Sequence, residues 1–419
     1  MGAKSSKPLC CVNDLPYELL SYIFHLARLD DPYKYGVPLL LASVCSRWRR
    51  TAFNTPRLWI EQEFPFPEKN PEMPLNILFL YHSAPLPIRV RFANIHHSFS
   101  NLLLHTPHQW KSLVVMYDHV YAQSVRVFLA RIPPRKLATL ENVVFRCYDS
   151  TTEQSADISV LSCLPLIPWA QLTHLDLSGV FAQDCIDILG RSEKLVSAAF
   201  CTPPWLETEV QSTSVLEHME ELELYLQITP EFKGFDPWLR RFTFPALKSL
   251  SLSHYIDDMD YEWPIVPDLI PFLSQTPTLE YLNLVNYVSS EDIRQILHHT
   301  PHLTELYLRL WDNEGELEDF FQALCYEPGI RAPLAPQLQS ICLEEVNTSF
   351  DDRVLAKMIR SRWWADSELD KMDRPMPVAR WKRIDIDFSW LQSFSKAFDD
   401  EMEIYQSQGL EILYSSADA

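Results

Sequence analysis

The stretch Thr276-Pro277-Thr278-Leu279-Glu280-Tyr281-Leu282-Asn283-Leu284 is answered 24 residues later by Thr300-Pro301-His302-Leu303-Thr304-Glu305-Leu306-Tyr307-Leu308. Both read L-x-x-L-x-L, and both place a proline two residues ahead of the first leucine. The last two apolar residues of such a motif alternate at period two, which predicts a strand with one face turned to a core. The pattern recurs at Leu172, Met219, Leu247, Leu338 and Trp381, with Pro245 and Pro336 again two residues ahead, and weaker copies begin at Trp110, Leu140 and Leu195. From Leu172 onward, successive starts are separated by 23, 24, 28, 32, 24, 35 and 43 residues. Segments between them, such as Asp184 to Leu189 and Glu291 to Leu297, have the apolar spacing of helices that would cover the other side of a stacked core.

The early spacings match the period of leucine-rich repeats, roughly 20 to 29 residues, and the later ones require loop insertions. With no Asn or Cys at the usual place after the strand, the array resembles the irregular leucine-rich arrays rather than a regular horseshoe. The resemblance implies an α/β solenoid over residues 65–388 whose strands line a concave face. On that face the positions flanking each inward pair would meet a ligand: Glu221, Glu223, Tyr225, Tyr281, Glu305, Tyr307, Arg309, Arg383 and Asp385, with His174, Asp176, Ser249, Ser251, Asn283 and Asp387 beside them. The mixture is acidic with aromatic islands, and it suggests a protein substrate carrying basic residues. Ser389 to Gln406 reads as an amphipathic helix with Trp390, Leu391, Phe394, Phe398 and Met402 available for burial. Together with the apolar run Leu410 to Tyr414, residues 389–419 are expected to cap the last repeat, whose edge would otherwise invite aggregation.

Composition fits this reading. The chain has 419 residues, 47% of them hydrophobic, enough for a sizeable core, and its 31 prolines are scattered as punctuation between short elements. It has only 8 glycines, and the nearest pair, Gly179 and Gly190, is too far apart for either glycine-rich phosphate loop. A formal charge of −20 argues against nucleic acid as a partner. The charge is uneven: residues 1–60 carry eight Lys/Arg against four Asp/Glu, so the acidity lies beyond them. Nine cysteines without a C-x-x-C pair indicate a reducing compartment rather than a disulfide framework or a zinc site. The longest aliphatic stretch, Val37 to Cys45, is too short to span a bilayer, and a signal-peptide core is not expected.

Residues 13–64 read as a small helical module. Leu15-Pro16-Tyr17-Glu18 starts a helix with proline in its first turn, and Leu19, Ile23 and Leu26, with Leu20 and Phe24 beside them, give it a wide apolar stripe. The polar stretch Asp30 to Pro38 interrupts, after which Leu41, Val44, Cys45 and Trp48 stand at helical spacing and predict one second helix with Arg47, Arg49 and Arg50 off its apolar face. Thr55-Pro56-Arg57-Leu58-Trp59 starts a third short helix.

This order of residues resembles the F-box in the spacing common among fungal members. The blocks that carry the likeness are Leu15-Pro16-x-Glu18-Leu19-Leu20-x-x-Ile23-Phe24, Val44-Cys45-x-x-Trp48-Arg49 and Thr55-Pro56-x-Leu58-Trp59. The resemblance implies a module that docks on the Skp-type linker of an SCF-type cullin-RING ubiquitin ligase, with Leu15, Pro16, Leu19, Ile23 and Phe24 making the first-helix contact. Val44, Cys45 and Trp48 would divide between packing the module and meeting the partner. The fold class expected for the whole chain is α+β, a three-helix F-box followed by the repeat solenoid.

Residues 1–12 read as a lipidation arm. Met1-Gly2-Ala3-Lys4-Ser5-Ser6 satisfies the myristoylation pattern at Gly2, and Cys10 and Cys11 are placed for palmitoylation, with Lys4 and Lys7 favouring an anionic leaflet. Such an arm would hold a cytoplasmic protein at the cytosolic face of a membrane. No catalytic constellation, cofactor motif or metal-ligand spacing stands out. The acidic loop with Asp257, Asp258, Asp260 and Glu262 lacks the grammar of an EF-hand. The expected function is a substrate-recognition adaptor without bond chemistry of its own, and the alternative is a non-ligase interaction scaffold.

Overall fold

The computed structural model describes residues 14–29, 36–60, 64–66, 73–93, 104–106, 109–118, 121–147, 167–180, 182–202, 214–228, 241–256, 266–285, 288–309, 316–327, 332–346, 350–366, 376–388 and 394–415. The lipidation positions Gly2, Cys10 and Cys11, the acidic run 257–262, and Trp390 and Leu391 lie outside them. The chain forms two compact units, Met1–Pro168 and Trp169–Ala419.

The first unit opens with helices α1 (Tyr17–Leu29), α2 (Gly36–Val44) and α3 (Ser46–Phe53), then a 3-10 turn at Pro56–Trp59. The single second helix expected from Leu41 to Trp48 is in fact two. Cys45 breaks it by adopting extended geometry (φ −159°, ψ 170°), and its Sγ accepts the Trp48 N–H at 3.4 Å as the cap of α3. The spacing misled because residues of two abutting helices happen to fall at helical intervals. Arg49 holds the corner by donating Nε–H to the Ala42 carbonyl at 2.9 Å. The turn after α3 is fixed by Thr55, whose hydroxyl donates to Thr51 O at 2.7 Å, and by buried Trp59, whose indole N–H donates to Ala52 O at 2.7 Å. Arg28 ties α1 to the same turn through Leu58 O at 2.7 Å and Arg57 O at 3.0 Å.

Beyond this module the unit continues as a parallel ladder, β1 (Phe64–Phe66), β2 (Ile88–Ala93), β3 (Trp110–Tyr117) and β4 (Asn142–Cys147), with α4 (Met73–Ser83) and α5 (Ala122–Leu129) in the crossovers. The weak copies at Trp110 and Leu140 are β3 and β4, with Leu113, Val115, Val143 and Phe145 buried. Strand β2 carries no leucine motif. Its buried Ile88, Val90 and Phe92 alternate with Arg89 and Arg91, and Phe92 packs on Phe128 of α5 at 4.9 Å.

The second unit is the leucine-rich array. Strands β5 (His174–Ser178), β6 (Ser197–Thr202), β8 (Glu221–Ile228), β10 (Ser249–Ile256), β11 (Tyr281–Val285), β12 (Glu305–Arg309), β13 (Ser340–Val346), β14 (Arg383–Phe388) and β15 (Glu411–Ser415) pair in that order, all parallel. Two-residue strands β7 (Ser214–Val215) and β9 (Phe242–Thr243) pair separately. The register aligns the motif leucines: Leu222, Leu250, Leu282, Leu306, Ile341 and Ile384 form one row, and Leu224, Leu252, Leu284, Leu308, Leu343 and Ile386 the next, all buried. Full burial of each such side chain contributes about 1.5–3 kcal/mol. Helices α6 (Ala182–Leu189), α7 (Val266–Leu273), α8 (Ser290–His299), α9 (Glu316–Leu324), α10 (Asp352–Ser361) and α11 (Lys396–Ser407) lie in the crossovers, and α7 through α11 each pack on the next.

Two backbone devices repeat with the motif. The first leucine closes a tight turn onto the residue three before it: Leu247 N–H to Phe244 O, Leu279 to Thr276, Leu303 to Thr300 and Leu338 to Ala335, at 3.1–3.3 Å. Pro245, Pro277, Pro301 and Pro336 therefore occupy the second position of each turn, where a φ fixed near −65° is already correct. Along this ladder from β5 through β13 the carbonyl preceding the strand then accepts two N–H groups from the next repeat. Lys248 O takes Glu280 and Tyr281, both at 2.8 Å, and Glu280 O takes Thr304 at 2.8 Å and Glu305 at 3.0 Å. These paired bonds fix the register on which the leucine rows depend.

The C-terminal segment departs from expectation. Helix α11 covers Lys396–Ser407, and the run after it is no passive cap but strand β15, in register with β14 through Ile384 and Ile412. Leu410 and Ile412 alternate inward and are buried, so the run behaves as one more repeat strand.

Candidate functional site

Two surfaces carry the residues singled out from sequence, one in each unit. On the helical module, α1 has two apolar sides. Leu20 and Phe24 point inward and are almost fully buried, whereas Leu19, Tyr22, Ile23 and Leu26, at successive turns, are 42–60% exposed. Helix α2 repeats the arrangement: Leu41 and Ala42 are buried, while Leu40 and Val44, four residues apart, are exposed at 66% and 56%. Both helices thus leave part of their apolar surface open to solvent.

The expected contact residues separate accordingly. Leu19, Ile23 and Val44 lie on the open side, Pro16 is exposed, and Leu15 and Cys45 are partly covered. Phe24 does not belong to the open set. It is buried against Trp48, ring centroids 5.0 Å apart, so in the free chain it is core. Tyr22 and Leu40 are open members that the motif reading passed over. The signal for Tyr22 was available, since it stands three residues from Leu19 and four from Leu26 on the same helix face.

In the second unit the strand positions facing away from the leucine rows form ladders. One runs Glu221, Ser249, Tyr281, Glu305, Ser340, Arg383 and Glu411, and the next Glu223, Ser251, Asn283, Tyr307, Cys342, Asp385 and Leu413. A third row includes Tyr225, Ser253, Val285, Arg309 and Glu344. The register thus brings all nine expected face residues onto one side of the sheet. Arg383 is bound by Asp385 at 2.7 Å and Glu411 at 3.5 Å. Burial, then a hydrogen bond to Glu344, raises the Tyr307 phenol, and burial followed by the charge of Glu305 raises Tyr281. The Cys342 thiol is pushed up to about 11, by burial first and Asp385 second. All three side chains therefore stay protonated near neutrality.

Among the described residues no group of three or more His, Cys, Asp or Glu is placed to hold a metal ion. The cysteines among them, Cys45, Cys147, Cys185, Cys201, Cys325 and Cys342, form no disulfide. No described helix is long and apolar enough to cross a membrane.

A family model described as F-box-like matches residues 12–64. Among solved structures, a chain of the yeast Rad7 and Elc1 complex is similar at 14% identity with a TM-score of 0.47, covering 96% of this chain and 94% of that one. The leucine-rich repeat-containing protein LegL7 from Legionella pneumophila aligns at 13% identity with a TM-score of 0.40, over 83% of this chain and 98% of its own. No curated protein matches the chain. Residues 12–64 are thus an F-box-like domain, and the chain that carries it continues into parallel strand arrays of leucine-rich-repeat type.

Proposed function

We propose that this protein is the substrate-recognition adaptor of an SCF-type cullin-RING ubiquitin ligase. The F-box-like domain docks on a Skp-type linker through the open stripe of α1 and α2, and the outer face of the second-unit strands holds a protein substrate. The observation that carries the reading is the exposed row Leu19, Tyr22, Ile23 and Leu26 on a domain of F-box type. Helix-in-groove recognition needs such apolar anchors and little chemistry. The protein makes and breaks no bonds itself. It contributes proximity, turning transfer of ubiquitin to a substrate lysine into an effectively intramolecular event.

The test is affinity purification from cells treated with a proteasome inhibitor, comparing wild type with a Leu19→Ala, Ile23→Ala double variant. Linker and cullin recovered with wild type alone support the reading, and proteins held by both forms are substrate candidates. A further part of the proposal places the complex at the cytosolic face of a membrane through acylation of Gly2 and of Cys10 and Cys11. Cell fractionation after Gly2→Ala tests it, and an unchanged membrane fraction rejects it.

A further inference from the structure

Six carboxylates and two guanidiniums stand on the outer positions of β8 through β14: Glu221, Glu223, Glu305, Glu344, Asp385 and Asp387 against Arg309 and Arg383. The charge of Arg383 is already matched by Asp385 and Glu411. Glu221, Glu223 and Glu305 are exposed and make no ion pair among the described residues. Between them lie Tyr281 and, in the adjoining row, Asn283, whose Oδ1 is buried without a hydrogen-bond partner among the described residues. Tyr225, 40% exposed, flanks the same patch. The patch therefore combines unmatched negative charge with aromatic faces suited to cations.

The register sets a length scale. From β8 to β12 there are three strand steps, about 14 Å at the usual spacing of about 4.8 Å. An extended chain covers that distance in about four residues at ~3.4 Å each.

Resting on the adaptor reading for its setting, we propose that the partner segment held by this face is extended and basic. It lies across the strands with two cationic side chains about four residues apart, one bridging Glu221 and Glu223 and the other meeting Glu305, and the chain between them passes over Tyr281 and Asn283. Charge complementarity selects this occupant, since an acidic or phosphorylated segment would meet like charge along the same rows.

The experiment is fluorescence anisotropy with the full chain and labelled nine-residue peptides of serine and valine. One carries two lysines four residues apart, one carries two adjacent lysines, and one carries two glutamates four residues apart. The four-spaced lysine peptide is expected to bind tightest and the glutamate peptide not at all, with binding weakened by added salt. A triple variant Glu221→Gln, Glu223→Gln, Glu305→Gln is expected to lose roughly tenfold or more in affinity. The control triple Glu193→Gln, Glu217→Gln, Glu403→Gln changes net charge equally on exposed positions off this face, and it is expected to bind like wild type. Equal losses in both triples, tighter binding of the adjacent-lysine or glutamate peptide, or no binding of any peptide would overturn the proposal. Linker capture measured on the same preparations separates the two readings: its loss with peptide binding intact rejects the adaptor reading alone, and the reverse rejects this one alone.

Discussion

The Phe24 and Trp48 rings meet at 5.0 Å with planes inclined at 57°, joining α1 to α3 across the heart of the F-box-like domain. That contact settles which side of α1 faces inward. With Phe24 and Leu20 committed to the core, the stripe one residue earlier in each turn, Leu19, Ile23 and Leu26 with Tyr22, is left open.

Truncation of the two stripes should therefore separate stability from binding. Phe24→Ala removes a ring that is fully buried and is expected to destabilise the domain by about 3–5 kcal/mol. Leu19→Ala and Ile23→Ala remove half-exposed side chains and should each change the melting free energy by less than about 0.5 kcal/mol. Thermal melts of the purified chain check both.

Arg362 is a buried cation that forms no ion pair among the described residues. Its guanidinium donates to Ala335 O at 2.9 Å and Leu334 O at 2.5 Å and lies 5.3 Å from the Trp381 ring. Burial lowers its pKa to about 10, and the bonded carbonyls belong to the turn where Ala335 adopts φ 42°. Arg362→Ala leaves two carbonyls and a cavity, and it should cost roughly 3 kcal/mol or more in denaturant unfolding. Arg362→Lys, unable to span both carbonyls, should recover only part of that.

His82 predicts a pH dependence. Its ring stacks on Phe53 at 4.5 Å and sits 4.9 Å from Trp59, and burial lowers its pKa below 6.5 despite a hydrogen bond to the Phe53 backbone. The unfolded chain therefore binds the proton more readily than the folded one. This contribution to stability is complete above pH 6.5 and is lost as the pH falls through the folded value. His82→Phe should flatten that slope, measured by melting between pH 7.5 and 5.

The repeat turns give a graded series. Leu282→Ala, in the buried row, should cost about 2–5 kcal/mol. Pro301→Ala keeps the turn but frees the unfolded chain, and it should cost about 0.4–1 kcal/mol. Hydrogen exchange at Leu303 N–H, which closes that turn onto Thr300, localises the second effect.

Much of the architecture was legible because L-x-x-L-x-L specifies both a turn and a period-two strand. Even the weak copies at Trp110, Leu140 and Leu195 lead into strands. Strand β2 escaped because Ile88, Val90 and Phe92 lack the leading leucine, and β15 because a short apolar run after a helix reads equally well as a cap. The break at Cys45 was hidden, since side-chain spacing carries no record of one residue's φ and ψ. The outer ladders of the second unit were legible residue by residue, but their alignment across strands depends on the paired backbone bonds at Lys248 O and Glu280 O, which no side chain announces. On α1 the heptad-like crowding of apolar residues predicted a sticky helix without dividing core from surface, and the Phe24–Trp48 contact makes that division.

Docking of a Skp-type linker on the open stripe of α1 is measured by isothermal titration of purified linker into the full chain. Wild type is expected to show saturable one-to-one binding, the Leu19→Ala, Ile23→Ala variant a loss of about 100-fold or more at unchanged melting temperature, and the Glu221→Gln, Glu223→Gln, Glu305→Gln variant retained binding. Absence of binding by wild type, or equal binding by the folded double variant, would contradict docking on that stripe.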